Sequence, residues 1–307
     1  MTRSDTGALS LMERIAISSK AIAAFDQIRV NYLPQTDAVA KLDQLRRAAK
    51  LRPPGASCGG MMVVAPTGCG KTQTIERYKR IAEADAEVGT RPVLVVVVPG
   101  ECTTSITASA ILESLGVARP NAGTEFVRWR RAVEEMTRQK VELVIFDEFN
   151  EASRRPTMSR PIATAIRQWI MDRGVAPVAF FGSEDAAKVL ALVPELLRRL
   201  HGEADLSPMD WHSDGDRELF IKFVGDLDAA MVERGIVDCK ADLASGDIAH
   251  GLWRASNGHL REICGVIRSA IENAVRGGQR AIHKSDLAHA FCSYPGCNAL
   301  NIPNPFL

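Results

Sequence analysis

The sequence predicts an α/β domain on a mostly parallel sheet, followed by a smaller all-helical domain. Three observations predict it. Short apolar runs at 61–65, 93–98, 141–147 and 177–182 alternate with segments of helical spacing, the pattern of strand–helix units. The run Val93-Leu94-Val95-Val96-Val97-Val98 is continuously apolar and mostly β-branched, as in a strand covered on both faces. After Pro208 the strand patterns cease and only helical stripes remain.

Taken in order, residues 1–57 read as an N-terminal extension. Its segment Asp37 to Lys50 has helical spacing, with Val39, Leu42 and Leu45 inward and Arg46 and Arg47 outward. Arg52-Pro53-Pro54-Gly55 ends it as a linker. The α/β domain then fills 58–208, with a helix starting near Thr72 and a short one over Pro194 to Leu200. The helical domain fills about 209–292. One stripe is Leu219, Phe223, Leu227 and Met231; a second is Leu260, Ile263, Ile267, Ile271 and Ala274. Residues 293–307, with Pro295, Gly296, Pro303 and Pro305, read as an irregular tail.

At 307 residues the chain can bury a full core in one or two domains. No apolar run approaches 18 residues, so no membrane partner is expected, and Met1-Thr2-Arg3-Ser4-Asp5 lacks a signal-peptide core. Seven dispersed cysteines suggest reduced thiols in a cytoplasm. The net charge of +1 argues against a broad basic face. Any nucleic-acid binding must use local clusters, or a small site repeated in an oligomer.

The chemistry starts at Ala65-Pro66-Thr67-Gly68-Cys69-Gly70-Lys71-Thr72, between an apolar run and a helix. Backbone N–H groups of such a turn wrap a phosphate chain, and the helix N-terminus adds the positive end of its dipole. Pro66 through Thr72 would hold ATP. Lys71 would reach the β- and γ-phosphates, and the Thr72 hydroxyl would ligate Mg²⁺. The usual first glycine of G-x-x-x-x-G-K-[ST] is Ala65 here, which is tolerable only where no positive φ is needed. Cys69 is a small filler within the loop.

The second signal is Val141-Glu142-Leu143-Val144-Ile145-Phe146-Asp147-Glu148, an apolar strand ending in two acids at the carboxyl edge of the sheet. Asp147 would hold Mg²⁺ through water, and Glu148 would orient and deprotonate the attacking water. Ser183, after the strand at 177–182, can touch the γ-phosphate or the water; it equally fits a helix N-cap. Arg198 and Arg199 offer an arginine finger for a neighbouring subunit, Arg199 being named first; alone they would read as solvated arginines. Arg261, in Ser256-Asn257-Gly258-His259-Leu260-Arg261, would fold over the phosphates.

Together these motifs resemble the AAA+ ATPases, and within them the TniB/TnsC family of transposition ATPases, with phage MuB a more distant functional relative. The resemblance spans roughly residues 35–292. It implies a P-loop AAA+ core with a helical lid. It implies an ATPase that binds double-stranded DNA, self-assembles as rings or helical filaments, recruits a DDE-type transposase and releases DNA on hydrolysis. A TniQ-like target-selection protein is a further implied partner. Near-zero charge suits this, because a protomer with few phosphate contacts gains affinity once polymerised. Candidate DNA contacts are Thr103, Thr104, Arg154, Arg155 and Arg160, each also readable as part of a solvated loop. Two other readings share the nucleotide motifs: a helicase loader or replication initiator, and a DNA-bound scaffold with negligible hydrolysis.

Other conspicuous residues read as structural. In Arg128-Trp129-Arg130-Arg131 the tryptophan shares a stripe with Phe126, Val133 and Met136 and belongs to the core. His289, Cys292 and Cys297 lack the paired spacing of a zinc site.

Overall fold

The computed structural model describes residues 11–100, 102–298 and 302–307. The chain folds as two compact units: Pro34–Ser207, and the chain up to Leu33 joined with the chain from Pro208 onward. Helix α1 (Leu11–Asp26) belongs to the second unit.

The α/β unit runs α2 (Leu33–Lys50), β1 (Gly60–Val64), α3 (Lys71–Ala84), β2 (Val93–Val97), α4 (Thr104–Ser114), α5 (Glu125–Arg138) and β3 (Leu143–Asp147). A 3₁₀ helix over Phe149–Arg154 leads into α6 (Pro156–Ile166), which closes in a π turn at Arg167–Met171. Then come β4 (Val178–Gly182), α7 (Glu184–Ala191), α8 (Pro194–Leu197) and β5 (Leu200–Asp205). All strand pairs are parallel, in the order β2-β3-β4-β1-β5.

The continuous apolar strands follow from burial on both faces. Every residue of β3 and β4 is buried. Val144, Phe146, Val178 and Phe180 point into one core with Ile111, Trp129 and Ile166. Leu143, Ile145, Ala179 and Phe181 point into the other with Leu42, Ile75 and Tyr78. Phe149 anchors the 3₁₀ helix between Phe180 (centroids 4.7 Å apart) and Phe146 (6.3 Å). Such aromatic pairs add about 0.5–1.5 kcal/mol each beyond area burial.

The second unit is helical among the described residues, adding α9 (Asp214–Glu233), α10 (Gly246–Ser256), α11 (Leu260–Arg276), α12 (Lys284–Ser293) and α13 (Pro295–Asn298). Phe220, Phe223, Leu227 and Met231 of α9 meet Ile263, Ile267, Ile271 and Ala274 of α11 in one core.

Several expectations are corrected. The extension over 1–57 is not one body. Phe25, Ile28 and Tyr32 pack into the helical core, with Tyr32 edge-on to Phe223, whereas α2 packs under the sheet through Ala38, Val39 and Leu42. Residues 1–10 lie outside the described residues. Arg46 is not outward: it is buried and bonds Asp43 (3.0 Å), three residues back on α2, and Glu142 (2.7 Å), a distant carboxylate that a helical wheel does not display. A fifth strand, β5, starts at Leu200, so the helix expected over 194–200 ends at Leu197. This strand is an edge strand whose Leu-His-Gly-Glu-Ala-Asp sequence lacks an apolar run, because one side of it meets solvent. The tail is not wholly irregular: α13 forms, and Phe306 is buried where Gly251 leaves room for its ring. Phe126 does not join Trp129 in the core; it is 60% exposed and lies edge-on to Trp169.

Candidate functional site

The phosphate loop leaves β1 in mid-sheet, beside the ends of β4 and β5. Ala65 N–H donates to the Gly182 carbonyl (3.0 Å), continuing the β1–β4 ladder one residue past the strand. Ala65 is buried and has no positive φ, so a Cβ is accommodated there. Gly68 (φ +89°) and Gly70 (φ +85°) do take the left-handed region. Gly70 occupies the N-cap of α3 with no side-chain cap, which leaves N–H groups of the first turn open to an anion.

Lys71 is buried and its Nζ donates to the carbonyls of Ala65 (2.7 Å) and Pro66 (2.9 Å). Burial pushes its ammonium below the ordinary lysine value, with Glu148 the largest opposing charge, followed by Cys69 and Asp147. Thr72 is exposed and its hydroxyl makes no hydrogen bond among the described residues, so it is free to ligate. Gln35 of α2, which motif reading missed, donates Nε2–H to the Gly70 carbonyl (3.3 Å) and buttresses the loop from outside it.

Asp147 ends β3 and is buried; burial raises its carboxyl, while its Oδ1 accepts the Glu148 N–H (2.9 Å). Glu148 adopts φ +52°, a left-handed conformation uncommon for a residue with a Cβ, at the N-cap of the 3₁₀ helix. Ser183 follows β4 and stands at the N-cap of α7, yet its hydroxyl makes no capping bond. Its N–H donates to Asn150 Oδ1 (3.2 Å), a residue the motif reading did not single out. The structure thus brings Lys71, Asp147, Glu148 and Ser183 to the carboxyl edge of adjacent strands β3, β4 and β1. These residues fit a triphosphate with a hard divalent cation: open N–H groups, one buried ammonium, and oxygen donors at Thr72 and Asp147. A cleft of about 710 Å³ adjoins the loop, lined by Pro34, Asp37, Ala65, Pro66, Asp205 and Ser207 among others.

The two finger candidates differ. Arg199 is half-buried and paired with Asp172 (2.7 Å), which also faces Arg167 (3.5 Å). Arg198 is exposed and its side chain has no partner among the described residues. Arg261 is exposed in the first turn of α11, in the other unit. Of the DNA candidates, Thr103 caps α4 by accepting the Ile106 N–H (3.2 Å), and Thr104 donates to Glu125 (2.6 Å). Arg154 pairs with Glu151 (2.6 Å), Arg155 is engaged, and Arg160 is exposed on α6. Trp129 is buried and stacks on Trp169, while Arg128 bonds Ser105, Ser109 and the Gly123 carbonyl.

This sheet order, phosphate loop and following helical unit define an AAA+ ATPase fold of the ORC/Cdc6 kind. Solved structures agree. The ADP form of the ORC2 protein of Aeropyrum pernix is 16% identical, with TM-score 0.64, over 88% of this chain and 72% of that one. The ORC1 protein of Aeropyrum pernix in complex with DNA is 16% identical, with TM-score 0.59, over 93% and 70%. Cdc6p from Pyrobaculum aerophilum is 15% identical, with TM-score 0.60, over 89% and 70%. Residues 25–207, more than half of the chain, match the family of the bacterial TniB protein, and the chain belongs to that family. Membership implies a transposition-associated role. No curated protein matches. Among the described residues no helix is long and apolar enough to cross a membrane.

Proposed function

We propose that this protein is an ATP-dependent DNA-binding regulator of transposition. It assembles on target DNA with ATP bound, recruits or activates a DDE-type transposase, and disassembles on hydrolysis. The observation that carries the reading is the shared carboxyl edge, where Lys71 and the open first turn of α3 lie in register with Asp147-Glu148 and Ser183, in a chain of the TniB family. Lys71 binds the phosphates. Thr72 and Asp147 hold Mg²⁺, which supplies charge neutralisation at the phosphates when bound. Glu148 takes the proton of the attacking water, and its turn fixes where that carboxylate points. Ser183 contacts the γ-phosphate or the water.

The arginine reaching a neighbour's nucleotide is Arg198, since Arg199 already has a partner in its own chain. Arg261 serves as lid sensor. DNA is held by the arginines at 154, 155 and 160. The Thr103 and Thr104 hydroxyls, engaged within the chain, add little. A TniQ-like protein is a further partner. Seven free thiols suit a cytoplasmic protein. The ORC-type fold alone suits a helicase loader or initiator equally, and family membership is what favours transposition.

The test is Glu148→Gln with steady-state ATPase and DNA-bound assembly by electron microscopy. The expected result is trapped ATP and persistent polymer. A variant that hydrolyses ATP at the wild-type rate refutes the assignment. A wild-type protein without DNA-stimulated turnover favours the scaffold reading instead.

A further inference from the structure

Asn150 lies two residues beyond Glu148 in the buried-anchored 3₁₀ helix, and its amide orientation is determined. The Ser183 N–H is a donor only, so the atom facing it at 3.2 Å must be the amide oxygen. The amide NH₂ is then turned away from that contact, and it has no partner in the protein among the described residues. Asn150 is only half-buried, so this donor pair is open rather than stranded.

The fold is arranged to permit this approach. A Cβ on Gly182 would lie 2.9 Å from Asn150 Oδ1, 3.1 Å from Asn150 N and 2.6 Å from Ala186 Cβ. Glycine at the last position of β4 therefore lets the β3 loop close onto it. Phe149, fully buried against Phe146 and Phe180, holds the backbone from the other side. The result is one rigid bracket spanning the ends of β3 and β4, with Glu148 at one end and Ser183 at the other. Accepting the Ser183 N–H also polarises the amide and strengthens its N–H donors.

We propose that Asn150 is a further catalytic residue, whose amide NH₂ donates to the reacting γ-phosphoryl oxygen or the attacking water between Glu148 and Ser183. Ser183 has a side chain too short to carry an amide, and the neighbouring loop supplies one at the same edge. The inference rests on the ATPase reading above. It places a preorganised neutral donor where negative charge develops, the kind of group whose removal lowers kcat by about 10²-fold.

The discriminating variant is Asn150→Asp. It keeps an oxygen acceptor for the Ser183 N–H, preserving the bracket, and replaces the NH₂ donor by a carboxylate oxygen, so the uncharged Asn150→Ala is read beside it. Full-length protein is assayed for Tm, steady-state ATPase, ADP affinity, and affinity for ADP with aluminium fluoride, a mimic of the transferring phosphoryl group. The expected result is a kcat lower by about 10²-fold, with Tm and ADP affinity unchanged and tight aluminium fluoride binding lost. Asn150→Ala should lose the same activity and also Tm. Turnover of Asn150→Asp close to wild type overturns the proposal and leaves Asn150 as a bracket alone. Turnover of Asn150→Ala close to wild type, with Asn150→Asp inactive, also overturns it, because the added charge would then be the cause. Glu148→Gln run in parallel separates the two levels. If it hydrolyses ATP normally, the ATPase assignment itself fails; if it is inactive and Asn150→Asp is not, only this inference fails.

Discussion

Gly182→Ala is the sharpest test of how the site is held. The added methyl would meet Ala186 Cβ at 2.6 Å, Asn150 Oδ1 at 2.9 Å and Asn150 N at 3.1 Å. The φ of Gly182 lies outside the left-handed region, so the penalty is contact and not backbone strain. Two of the three atoms belong to fixed structure, the α7 methyl and the 3₁₀ backbone, so rotation of the Asn150 side chain alone does not relieve the contact. Relief requires α7 or the 3₁₀ helix to move by most of an ångström. Overpacking of this kind costs about 1–3 kcal/mol. If the shift also breaks the bond from Ser183 N–H to Asn150, a part-buried donor loses its partner, adding about 1 kcal/mol.

For a unit of this size, a total of about 2–4 kcal/mol lowers Tm by roughly 4–16 °C. Gly215→Ala is the matched control. It sits in the first turn of α9 with open space around it, so the same chemical change should be neutral or stabilise by up to about 1 kcal/mol. Thermal melts by circular dichroism, alongside ATPase rates, read both. Equal Tm values for Gly182→Ala and wild type, with undiminished turnover, would refute the close approach of the β3 loop to β4 and everything built on it.

Arg198→Ala should leave Tm unchanged and abolish turnover in its own assemblies, and in mixed assemblies also at wild-type sites that have it as their neighbour. Arg199→Ala should cost about 1 kcal/mol through loss of its partly exposed Asp172 pair and retain turnover; the opposite activity pattern reverses the assignment. Arg46→Met should destabilise by about 2 kcal/mol, less than the roughly 3–5 kcal/mol of a fully buried pair because Glu142 and Asp43 keep contact with water. Burial alone would raise the Asp43 carboxyl, but hydrogen bonds from Arg47 and Arg46 outweigh it and hold it below the ordinary 3.8. A lowered folded-state value stabilises above the ordinary pKa and ceases to do so as pH falls through the lowered value. Wild type should therefore lose stability more steeply than Arg46→Met in acid below about pH 4; parallel urea titrations at descending pH decide it.

Local chemistry made part of this protein legible. Leu143–Asp147 reads as a strand because burial on both faces demands unbroken apolar sequence, and Val93–Val97 reads as one although Val95 is half-buried and Val97 exposed at the sheet edge. The loop from Ala65 to Thr72 reads as a phosphate cradle because its glycines, lysine and threonine are contiguous, so their spacing is set by the chain itself. β5 did not read as a strand, because most of its residues are exposed and its place is set by pairing to β1; β2, at the other edge, reads as one because Val93, Leu94 and Val96 are buried. Nor did α1 read as part of the helical unit, since Phe25, Ile28 and Tyr32 declare a partner only when α9 and α11 are in place.

The sequence by itself determined the fold class, the order of the nucleotide motifs and the family, all carried by residues near one another in the chain. Tertiary structure alone decided which arginine is free, because Arg199 meets Asp172 from across the unit and Arg198 does not. It also decided that Asn150 meets Ser183. That contact joins residues 150 and 183, from loops after two different strands, and exists only because parallel pairing of β3 with β4 brings those loops to one edge.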